Sequence, residues 1–577
     1  MVFHPRASRL SLVSLVSLAI VLSLAMEATA QSSASPSSGE TAPDAFFDNV
    51  SVDIVNVEVF VTNKKDQPVA GLSPESFELF VDGKPTPLTN FYAESGGQVV
   101  TLGPGAESQS EVSEDSVAPG EIKPEAQRLH LLIFADNRHL RGPSRKKSFK
   151  ALREFLENQL DPADEVAVAS LGSALEFRSD FTSDRVFLNR VLGEVEKGGS
   201  PEPGLAIERQ RIFNDIQTDL AFSGATRQLF SRIKLVAQSE YTRGKASVEA
   251  LGAVVDSLAG IRGRKAILHV SDGISTNPGE AMYLALAERA GNSDPDYAND
   301  IGAYDLLRDF QELARRANAA QVTFYSLDAE ATKNSFARSA DYSGGVENSV
   351  RTTALEAAES NNRAPLELAA VDTGGRRIQA TGRLTQQLSK IANDFATFYS
   401  LGFRAPEASS KEKHRIEVKV KGKGLRVRHR QAYEDKDADR RSGDAVLATL
   451  LYNTTNSDLG VTLEPLAPQA KGDNLHLLPI RVKIPLSRVA FLPQGDEQSA
   501  QLSFFVAVKD DKGNPRPVQK VPFKLRIPSS QLEDVEGRTA DYELPVVLHE
   551  GDRQVAIGVR DDIGGISSTL RLELPEG

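Results

Sequence analysis

Cysteine is absent from the 577-residue chain, which excludes disulfide bonds, thiolate metal sites, cysteine nucleophiles and a lipid anchor on cysteine. Tryptophan is absent as well, so a stacking platform for sugars would have to be built from tyrosine and phenylalanine. Acidic residues outnumber basic ones, and the formal net charge is −12. A chain of this charge favours solubility and disfavours generic nucleic-acid binding. We therefore expect no nucleic-acid partner.

Long apolar runs are also lacking, except at the N-terminus. There, Arg6 and Arg9 precede an uncharged run of 17 residues, Leu10–Met26, which is followed by Ala28-Thr29-Ala30. A basic segment, an apolar segment and a small-x-small site are typical of a secretory signal peptide. The alternative is an uncleaved anchor, since a run of 17 residues is near the shortest that spans a bilayer. The pattern predicts a signal peptide at 1–30, export to the periplasm or the extracellular space, and no stable membrane insertion after cleavage.

Composition changes three times after the predicted signal peptide. Residues 31–44 are rich in serine, proline and alanine, which is typical of disorder. Valines alternate with other residues over Val55–Val61, and Asp82-Gly83 marks a hairpin turn, so we predict a small β domain at 45–97. Residues 98–127 then combine acidic side chains with glycine, serine and proline. This composition predicts an exposed acidic linker.

Strand and helix patterns alternate over residues 128–435. Leu129–Phe134 is nearly all apolar, as a buried parallel strand requires, and amphipathic helices separate the later strands. Repeated β-α-β order predicts a doubly wound, Rossmann-like α/β domain with a mostly parallel sheet, to which the strand Phe398–Phe403 would belong. The polar stretch 328–365 is predicted to be a surface insertion. A β-hairpin that turns at Gly422-Lys423-Gly424 is predicted to end the domain.

The region around that hairpin is strongly basic. Nine lysines or arginines lie between Lys411 and Arg430, against two glutamates. They could bind an anionic surface, but the regular alternation of apolar residues favours the solvated face of an exposed hairpin. A charged stretch at 436–446 is predicted to be a linker. The regularly spaced short strands of 447–577 indicate an immunoglobulin-like β-sandwich.

Several segments together carry a likeness that is more specific than any single motif. They are VEVFVTNKKDQPVAGLSPESFELFVDGKPTPLTNF (57–91), RGRKAILHVSDGIS (262–275), ANAAQVTFYSLDAE (317–330), the run at 368–406, and HRIEVKVKGKGLRVRHRQAY (414–433). In collinear order over residues 52–433, these segments resemble the von Willebrand factor A-related (vWA-related) domain family of bacterial, acidobacterial-type secreted proteins. The resemblance implies a vWA-like α/β domain preceded by a β module. It does not extend to the C-terminal β region.

Domains of the A type place a metal-ion-dependent adhesion site at the carboxyl ends of the sheet strands, and the resemblance carries its motif onto this chain. The first aspartate of the usual Asp-x-Ser-x-Ser pattern matches Asp136, and the later aspartate matches Asp272. Arg138 and Leu140 stand where the two serines should be, and Thr242 is the candidate threonine. A hard divalent cation prefers about six oxygen ligands, and neither Arg nor Leu offers one. The motif is therefore degenerate.

Four interpretations of this motif are open. In the first, Asp136, Asp272 and water molecules still hold Mg²⁺. In the second, which the loss of two ligands favours, no cofactor is bound and Arg138 pairs with Asp136 or Asp272 in place of the metal. In the third, Arg138 captures a carboxylate of the partner through two hydrogen bonds. In the fourth, the two aspartates only cap helices at strand-to-helix turns.

The motifs favour a binding protein over an enzyme. The sequence contains no GxSxG elbow and no HExxH motif, and no pairing of a nucleophile with a base is visible. His139, which is close to Asp136 in the chain, is expected to be a solvated loop residue. We expect an exported, non-enzymatic protein that engages a protein or cell-envelope ligand through Asp136, Arg138 and Asp272. The alternatives are a periplasmic scaffold with a vestigial site and, less favoured, a secreted hydrolase.

Overall fold

A computed structural model of the chain describes most residues between 54 and 574. The described ranges are 54–95, 98–102, 128–199, 204–218, 225–290, 300, 302–329, 360–361, 364–379, 384–405, 413–472, 475–530 and 537–574. The predicted signal peptide, the segment 31–44 and residues 103–127 of the predicted linker lie outside these ranges, as does most of 328–365. Among the described helices, none combines the length and the apolar character needed to cross a membrane.

The middle of the chain forms an α/β region around a six-stranded sheet. Its strands are β6 (Leu129–Asp136), β7 (Glu165–Leu171), β8 (Leu175–Phe177), β9 (Arg264–Ser271), β10 (Val322–Asp328) and β11 (Arg377–Gln379). They lie in the order β11-β10-β9-β6-β7-β8, and neighbours are parallel except β8, which is antiparallel to β7. Every residue of β6 and β9 is buried, as expected for a parallel sheet covered on both faces. The predicted buried strand at Leu129–Phe134 is confirmed.

Helices pack on both faces of this sheet. They are α1 (Gly142–Asn158), α2 (Arg185–Lys197), α3 (Gly204–Thr218), α4 (Ala225–Leu258), α5 (Glu280–Ala290), α6 (Leu307–Ala319) and α7 (Leu384–Ala396). On one face, α1, α2 and α7 form a single core with Leu131 and Ile133 of β6. On the other face, α6 and the C-terminal half of α4 form a second core with Leu132 and Phe134. The two sets alternate along β6 because successive side chains of a strand point to opposite faces.

The long helix α4 extends past the sheet. Its 34 residues, at about 1.5 Å per residue, span roughly 50 Å, about twice the length of the 8-residue strand β9. The N-terminal part of α4 packs with α3 and α5 around a separate apolar core that includes Ile212, Ile233 and Tyr283. This helical extension accounts for the large chain length between β8 and β9.

Segments on either side of the α/β region form one β domain. The segment before it contributes β1 (Ile54–Thr62), β2 (Phe77–Val81), β3 (Lys84–Pro85), β4 (Asn90–Ser95) and β5 (Gln98–Leu102), and the segment after it contributes β12 (Thr397–Arg404), β13 (Lys413–Val420), β14 (Arg426–His429) and β15 (Ala432–Glu434). One sheet has the order β14-β1-β12-β4-β5, and the other has the order β15-β13-β2-β3. A shared apolar core that includes Val57, Leu401 and Ile416 joins the two sheets.

Three features of this β domain differ from the predictions. Strand β12, predicted to belong to the α/β sheet, is antiparallel to β1 and β4. Strands β13 and β14, predicted to form a terminal hairpin, pair with β2 and β1 in different sheets. Strand β5 lies inside the predicted linker at 98–127 and pairs with β4. The described residues of the predicted domain at 45–97 therefore do not form a separate domain, because β1 pairs with two strands that both lie beyond residue 396.

A helix, α8 (Ala438–Tyr452), follows the β domain where the sequence predicts a linker at 436–446. The carboxylate of Asp437 accepts a hydrogen bond from a first-turn backbone N–H at 2.7 Å, which is a favourable N-cap. Tyr452 packs into the core shared with α4 and α6, whereas Val446 packs against the β-rich region that follows. The linker prediction is wrong because apolar residues beyond the charged stretch are buried on two sides of one helix.

The C-terminal region consists of antiparallel strands in two sheets. They are β16 (Asn456–Ser457), β17 (Thr462–Pro465), β18 (Gln469–Gly472), β19 (Leu475–Pro485), β20 (Leu492–Gln494), β21 (Glu497–Asp510), β22 (Gln519–Pro528), β23 (Thr539–His549), β24 (Asp552–Asp561) and β25 (Ser567–Glu573). One sheet has the order β16-β25-β24-β21-β20 with β22 also on β21, and the other has the order β17-β19-β18 with β23 also on β19. The sheets share one apolar core. Short 3₁₀ helices lie at Pro74–Ser76 and Leu486–Arg488.

Candidate functional site

Asp136 and Asp272 lie in adjoining loops at one edge of the α/β sheet. Asp136 is the last residue of β6, and Asp272 directly follows the neighbouring strand β9. The Asp272 N–H donates a hydrogen bond to the His139 carbonyl at 2.9 Å, which joins the two loops. Gly273 then takes a φ of 101°, which favours glycine, and the chain turns away from the strand. The structure thus places both sequence-predicted aspartates at carboxyl ends of parallel strands, where such sheets bind ligands.

The carboxylate of Asp136 is completely buried and is surrounded by donors from its own loop. Oδ1 accepts hydrogen bonds from the N–H groups of Arg138 at 3.1 Å and His139 at 3.3 Å, and Oδ2 lies 2.8 Å from His139 Nδ1. Burial alone would raise the pKa of Asp136, but the imidazoles of His139 and His269 outweigh it and hold the pKa far below its usual range. Asp136 is therefore ionised at neutral pH, and its charge is compensated by groups close to it.

The Arg138 side chain does not reach either aspartate. Its Nε donates to the Gly172 carbonyl at 2.7 Å, and a terminal nitrogen donates to the Ser173 carbonyl at 2.9 Å. The interpretation in which Arg138 pairs with one of the aspartates is therefore wrong, because these carbonyls hold its side chain at the end of β7. The same bonds occupy donors that bidentate capture of a ligand carboxylate would need. Leu140, at the second serine position, is buried in the core of the α/β region.

A different arginine, Arg141, meets Asp272. Asp272 Oδ2 accepts hydrogen bonds from the Arg141 backbone N–H at 2.9 Å and from its Nε at 3.1 Å. The carboxylate thereby stabilises the N-terminus of α1, whose own N-cap residue provides no side-chain cap. Burial raises the pKa of Asp272 and outweighs the opposing effects of Arg141 and Ser144. The Arg141 side chain is 44% exposed, so a guanidinium lies between this buried carboxylate and solvent.

Thr242 does not face the site. It lies on the exposed side of α4, and its hydroxyl donates to the Gln238 carbonyl at 3.0 Å within the helix. The hydroxyl that faces the site belongs to Ser247, which is completely buried and has its Oγ 3.2 Å from His139 Nδ1. Ser247 precedes Val248 and Leu251 on the buried stripe of α4, and this stripe is the sequence signal that could have identified it.

Two histidines that were not predicted to be site residues contribute to the site. His139, predicted to be a solvated loop residue, has a side chain that is only 14% exposed and contacts Asp136. His269 on β9 is completely buried beside the rings of Phe134 and Phe324, with its Nε2 3.9 Å from Asp136 Oδ2. Neither ring nitrogen of His269 makes a hydrogen bond with the described residues. A histidine inside an apolar parallel strand is the signal that could have pointed to it.

The donor set at this edge does not match a hard divalent cation. Such a cation needs about six oxygen ligands, whereas N–H groups and an imidazole surround Asp136, and Arg141 takes one oxygen of Asp272. The positive charge of Arg145 also attracts the carboxylate of Asp272, in the region that a cation would have to occupy. Within the described ranges, no group of three or more histidine, aspartate or glutamate side chains is arranged to hold a metal ion. A cation would have to displace a guanidinium and break the hydrogen bonds of the loop.

No family model and no curated protein matches the chain. Among solved structures, it is similar to an aerotolerance-related membrane protein from Bacteroides fragilis, with 11% identity, 46% of this chain and 98% of that chain covered, and a TM-score of 0.22. It is also similar to manganese-loaded TRAP protein from Plasmodium vivax, with 9% identity, 54% and 95% covered, and a TM-score of 0.20. These values are too low to support a conclusion about function.

Proposed function

We propose that this chain is an exported, non-enzymatic binding protein that engages an acidic group of a protein or cell-envelope ligand. The ligand binds to a doubly wound, vWA-like α/β domain at the edge that holds Asp136, Arg141 and Asp272. This edge is a degenerate adhesion site that binds neither Mg²⁺ nor another cofactor. Arg141 supplies the positive charge, and the two β regions act as spacers or as further contact surfaces.

The strand order supports the vWA-like assignment. Numbered along the chain from β6, the six strands lie in the order 6-5-4-1-2-3, which is the doubly wound order read from its other edge. The order reverses between β6 and β9. Asp136 ends β6 and Asp272 follows β9, so both aspartates stand at the switch point, where open α/β sheets form a crevice for ligands.

The observation that carries the proposal is the presence of a guanidinium at Asp272. Arg141 Nε lies 3.1 Å from Asp272 Oδ2, and its side chain is nearly half exposed. A guanidinium binds carboxylates with directed N–H donors, and its charge compensates a carboxylate that is otherwise buried. The exposed part of the Arg141 side chain is the group that would contact a ligand carboxylate directly, with no divalent cation between them.

The contacts of His139 disfavour a hydrolase. Asp136, His139 and Ser247 are the residue types of a catalytic triad. However, Asp136 Oδ2 at 2.8 Å and Ser247 Oγ at 3.2 Å both contact the same nitrogen of the His139 ring, Nδ1. An ionised carboxylate only accepts hydrogen bonds, so Nδ1 carries the proton and cannot accept another from Ser247. In a working triad the serine contacts the opposite ring nitrogen. Ser247 is also completely buried, which denies a substrate access to its hydroxyl.

Export is proposed from the N-terminal pattern of two arginines, an apolar run and a small-x-small site. A chain without cysteine tolerates both oxidising and reducing compartments. Fractionation of cells that express the full chain, combined with sequencing of the mature N-terminus, tests this part. We expect the mature chain to begin at Gln31, and retention of the full N-terminus in the membrane fraction would contradict cleavage.

Binding of the full chain to an immobilised glutamate-rich peptide, measured by surface plasmon resonance with Mg²⁺ or EDTA, tests the ligand site. We expect salt-sensitive binding that EDTA leaves unchanged. Arg141→Gln should weaken it roughly tenfold or more, because a hydrogen bond to a charged group contributes about 1.5–3 kcal/mol. Arg227→Gln, which alters an exposed arginine on α4, is the matched control and should bind like the wild type.

Other outcomes separate the alternatives. Binding that requires Mg²⁺ and survives Arg141→Gln would show that the aspartates hold a metal after all. No binding, or equal binding by the wild type and Arg141→Gln, would favour the scaffold with a vestigial site. A thermal melt in millimolar Mg²⁺ against EDTA gives an independent answer, because a cation that binds only the folded state raises the melting temperature. We expect no shift.

A further inference from the structure

The opposite end of the α/β sheet holds a cluster of positive charges from three parts of the fold. Lys265 is the second residue of β9, Arg430 directly follows β14 of the β domain, and Lys436 lies just before α8. Together, these three residues form the junction cluster. Arg430 was predicted to lie on the solvated face of an exposed hairpin, whereas the structure buries it.

Lys265 and Lys436 lie close to each other because α8 presses against the turn before β9. Lys265 Nζ donates to the Ala259 carbonyl at 3.3 Å. The next residue, Gly260, is so close to α8 that a Cβ on it would lie 2.1 Å from the Asp444 carbonyl oxygen. Asp444 Oδ2 in turn lies 2.7 Å from Lys436 Nζ. The Lys265 ammonium therefore lies beside an ion pair whose carboxylate is already engaged.

Arg430 approaches the same place from the β domain. Its backbone forms a bridge with Thr373, and Thr373 Oγ1 accepts a hydrogen bond from the Phe324 N–H of β10 at 2.9 Å. Strand β10 lies beside β9, and Val322 of β10 is paired with Lys265. The backbone of Arg430 is thus held beside β9 and β10, and the charge of its side chain lies close enough to Lys265 to act on it.

Lys265 and Arg430 are both more than nine-tenths buried, with exposed fractions of 6% and 9%. Arg430 Nε is buried and donates no hydrogen bond to the described residues. Across the described ranges, neither side chain forms an ion pair with a carboxylate. A guanidinium has five N–H donors and an ammonium has three, and among the described residues the only acceptor bound by these two side chains is the Ala259 carbonyl, which accepts from Lys265. Buried cations in this state are strongly unfavourable unless an anion compensates them.

The carboxylates near the junction cluster are committed to other cations. Glu58 lies 3.0 Å from Arg264 Nε, and Asp444 binds Lys436. With Arg264 included, four cations therefore face two carboxylates. Among the described residues, this charge balance leaves Lys265 and Arg430 without a carboxylate partner of their own.

We propose that Lys265 and Arg430 bind a small phosphate-like oxyanion, such as phosphate or sulfate, at this junction. The planar guanidinium of Arg430 matches two oxygens of such an anion, and the Lys265 ammonium contributes a point charge with free donors. The near-complete burial of both side chains restricts the ligand to a small anion or to the terminal phosphate of a larger molecule. The site lies at the end of the sheet opposite to Asp136 and does not depend on the proposed ligand edge.

The electrostatics of the two side chains support this assignment. Burial, with the nearby charges of Lys436 and Arg430, lowers the pKa of Lys265 to about 7. Burial also lowers the pKa of Arg430 to about 10. Each lowered pKa indicates a positive charge that the surrounding protein groups do not fully stabilise. A bound anion would raise both pKa values.

Titration of the full chain with inorganic phosphate at constant ionic strength, followed by isothermal calorimetry and thermal melting, tests this proposal. We expect saturable binding and a rise in the melting temperature, because the ligand binds the folded state. Constant ionic strength separates this binding from the general stabilisation by phosphate and sulfate salts. A parallel titration with sulfate should compete with phosphate, whereas chloride should not.

Lys265→Met and Arg430→Gln should each weaken phosphate binding roughly tenfold or more, since each removes one charged partner. Lys423→Met, which alters an exposed lysine between β13 and β14, is the matched control and should bind normally. Without phosphate, Lys265→Met should melt at or above the temperature of the wild type, because an uncompensated charge is gone; with saturating phosphate the order should reverse. Absence of saturable binding, or binding that both variants retain, would overturn the proposal.

Discussion

The two ends of the α/β sheet treat buried charge in opposite ways. At the end of the sheet where β6 and β9 finish, which we call its C-terminal end, the buried carboxylates of Asp136 and Asp272 are compensated by backbone N–H groups, by His139 and by Arg141. At the end where these strands begin, which we call its N-terminal end, Lys265 and Arg430 are buried cations whose neighbouring carboxylates are paired with other cations. The first end is balanced by protein groups, and on our proposal the second is balanced only with an anion.

The difference follows from how each end is assembled. Short loops of one sheet build the C-terminal end, so the segment 136–141 supplies both a charge and the donors that surround it. Three distant parts of the chain meet at the N-terminal end, where Asp394 shows that such a junction can also be balanced. Asp394 binds Arg376 through both oxygens and Arg428 through one of them. Burial of a charge therefore does not by itself indicate a ligand site, and the anion site that we propose rests on the excess of cations over carboxylates.

The largest loss of stability is expected for Asp394→Ala, which removes the carboxylate that pairs with Arg376 and Arg428 at the N-terminal end of the sheet. The Asp394 side chain is only 3% exposed and holds two arginines. Its removal leaves both guanidinium groups poorly compensated, so the free energy of unfolding should fall by about 3–5 kcal/mol. Urea denaturation of the full chain measures this loss. Asp66→Ala removes a partner of Arg376 that is 36% exposed and should cost at most about 1 kcal/mol; equal losses would contradict the role of burial.

Asp136→Asn and Asp272→Asn separate the two carboxylates of the C-terminal end. The fold lowers the pKa of Asp136 and raises that of Asp272, so only the charge of Asp136 is stabilised by folding. At neutral pH, Asp136→Asn should lower the free energy of unfolding by about 1.5–3 kcal/mol, the contribution of a hydrogen bond to a charged group. Asp272→Asn should change it little or raise it. Chemical denaturation compares the variants, and a larger loss for Asp272→Asn would contradict this order.

The sign of the pH dependence at Asp136 follows from its lowered pKa. The stabilisation is fully present above the ordinary carboxyl pKa of 3.8 and is lost as the pH falls through the lower pKa of the folded state. The wild type and Asp136→Asn should therefore converge in stability only in strong acid. Convergence already near neutral pH would show that His139 and His269 do not stabilise the charge.

A smaller effect is expected for Asp437→Ala, which weakens the start of the helix that closes the N-terminal end. The Asp437 carboxylate accepts a hydrogen bond from the Arg440 N–H at 2.7 Å, and loss of such a cap costs about 1 kcal/mol. Thermal melting of the full chain measures it. Asp435→Ala, just outside the helix, is the control and should have less effect. No difference between the two variants would mean that packing alone holds α8 in place.

The smallest effect is confined to a window of mildly acidic pH and concerns His429, the neighbour of Arg430. Its Nδ1 lies 2.7 Å from the Arg430 carbonyl, and its Nε2 accepts a hydrogen bond from the Val418 N–H at 3.1 Å, so the neutral ring is required. Burial is the main cause that lowers the pKa of His429 below 6.5. Because the unfolded chain then binds the proton more readily, this stabilisation is present above pH 6.5 and is lost as the pH falls to the folded pKa.

Denaturation curves over this range of pH measure the effect. His429→Gln should flatten the pH dependence of the free energy of unfolding, whereas His476→Gln, which changes an exposed histidine, should leave it as in the wild type. A pH dependence that both variants retain would assign the titration to another group.

The sequence predicted the α/β region and the placement of its two aspartates, because both depend on local patterns. Apolar runs define β6 and β9, and a polar residue at the end of each strand falls at the same edge of a parallel sheet. Pairing between distant strands leaves no such pattern, so β12 was assigned to the wrong sheet and the split β domain was missed. The same limit applies to α8, because the charged residues at its start are typical of a linker until the burial of Val446 and Tyr452 is known.

Within the site, Arg138 lies in the loop that follows β6, but the direction of its side chain could not be predicted. Spacing along the chain places a residue in a loop, whereas backbone hydrogen bonds decide where its side chain goes. Here the carbonyls that follow β7 bind Arg138, and Arg141, three residues later, takes the place beside Asp272. Only the conformation of the loop distinguishes the two arginines.

The split β domain has a consequence for the order of folding. Ile54 and Arg404 are partners in one ladder, although 404 − 54 = 350 residues separate them. In an unfolded chain, closing such a long loop costs conformational entropy before any strand contact repays it. The α/β region shortens this loop when it folds, because Arg128 and Phe395, near its two ends, both hydrogen-bond to Arg264. We therefore expect β1 to remain unpaired during synthesis and the β domain to form last, with the folded α/β region as its template.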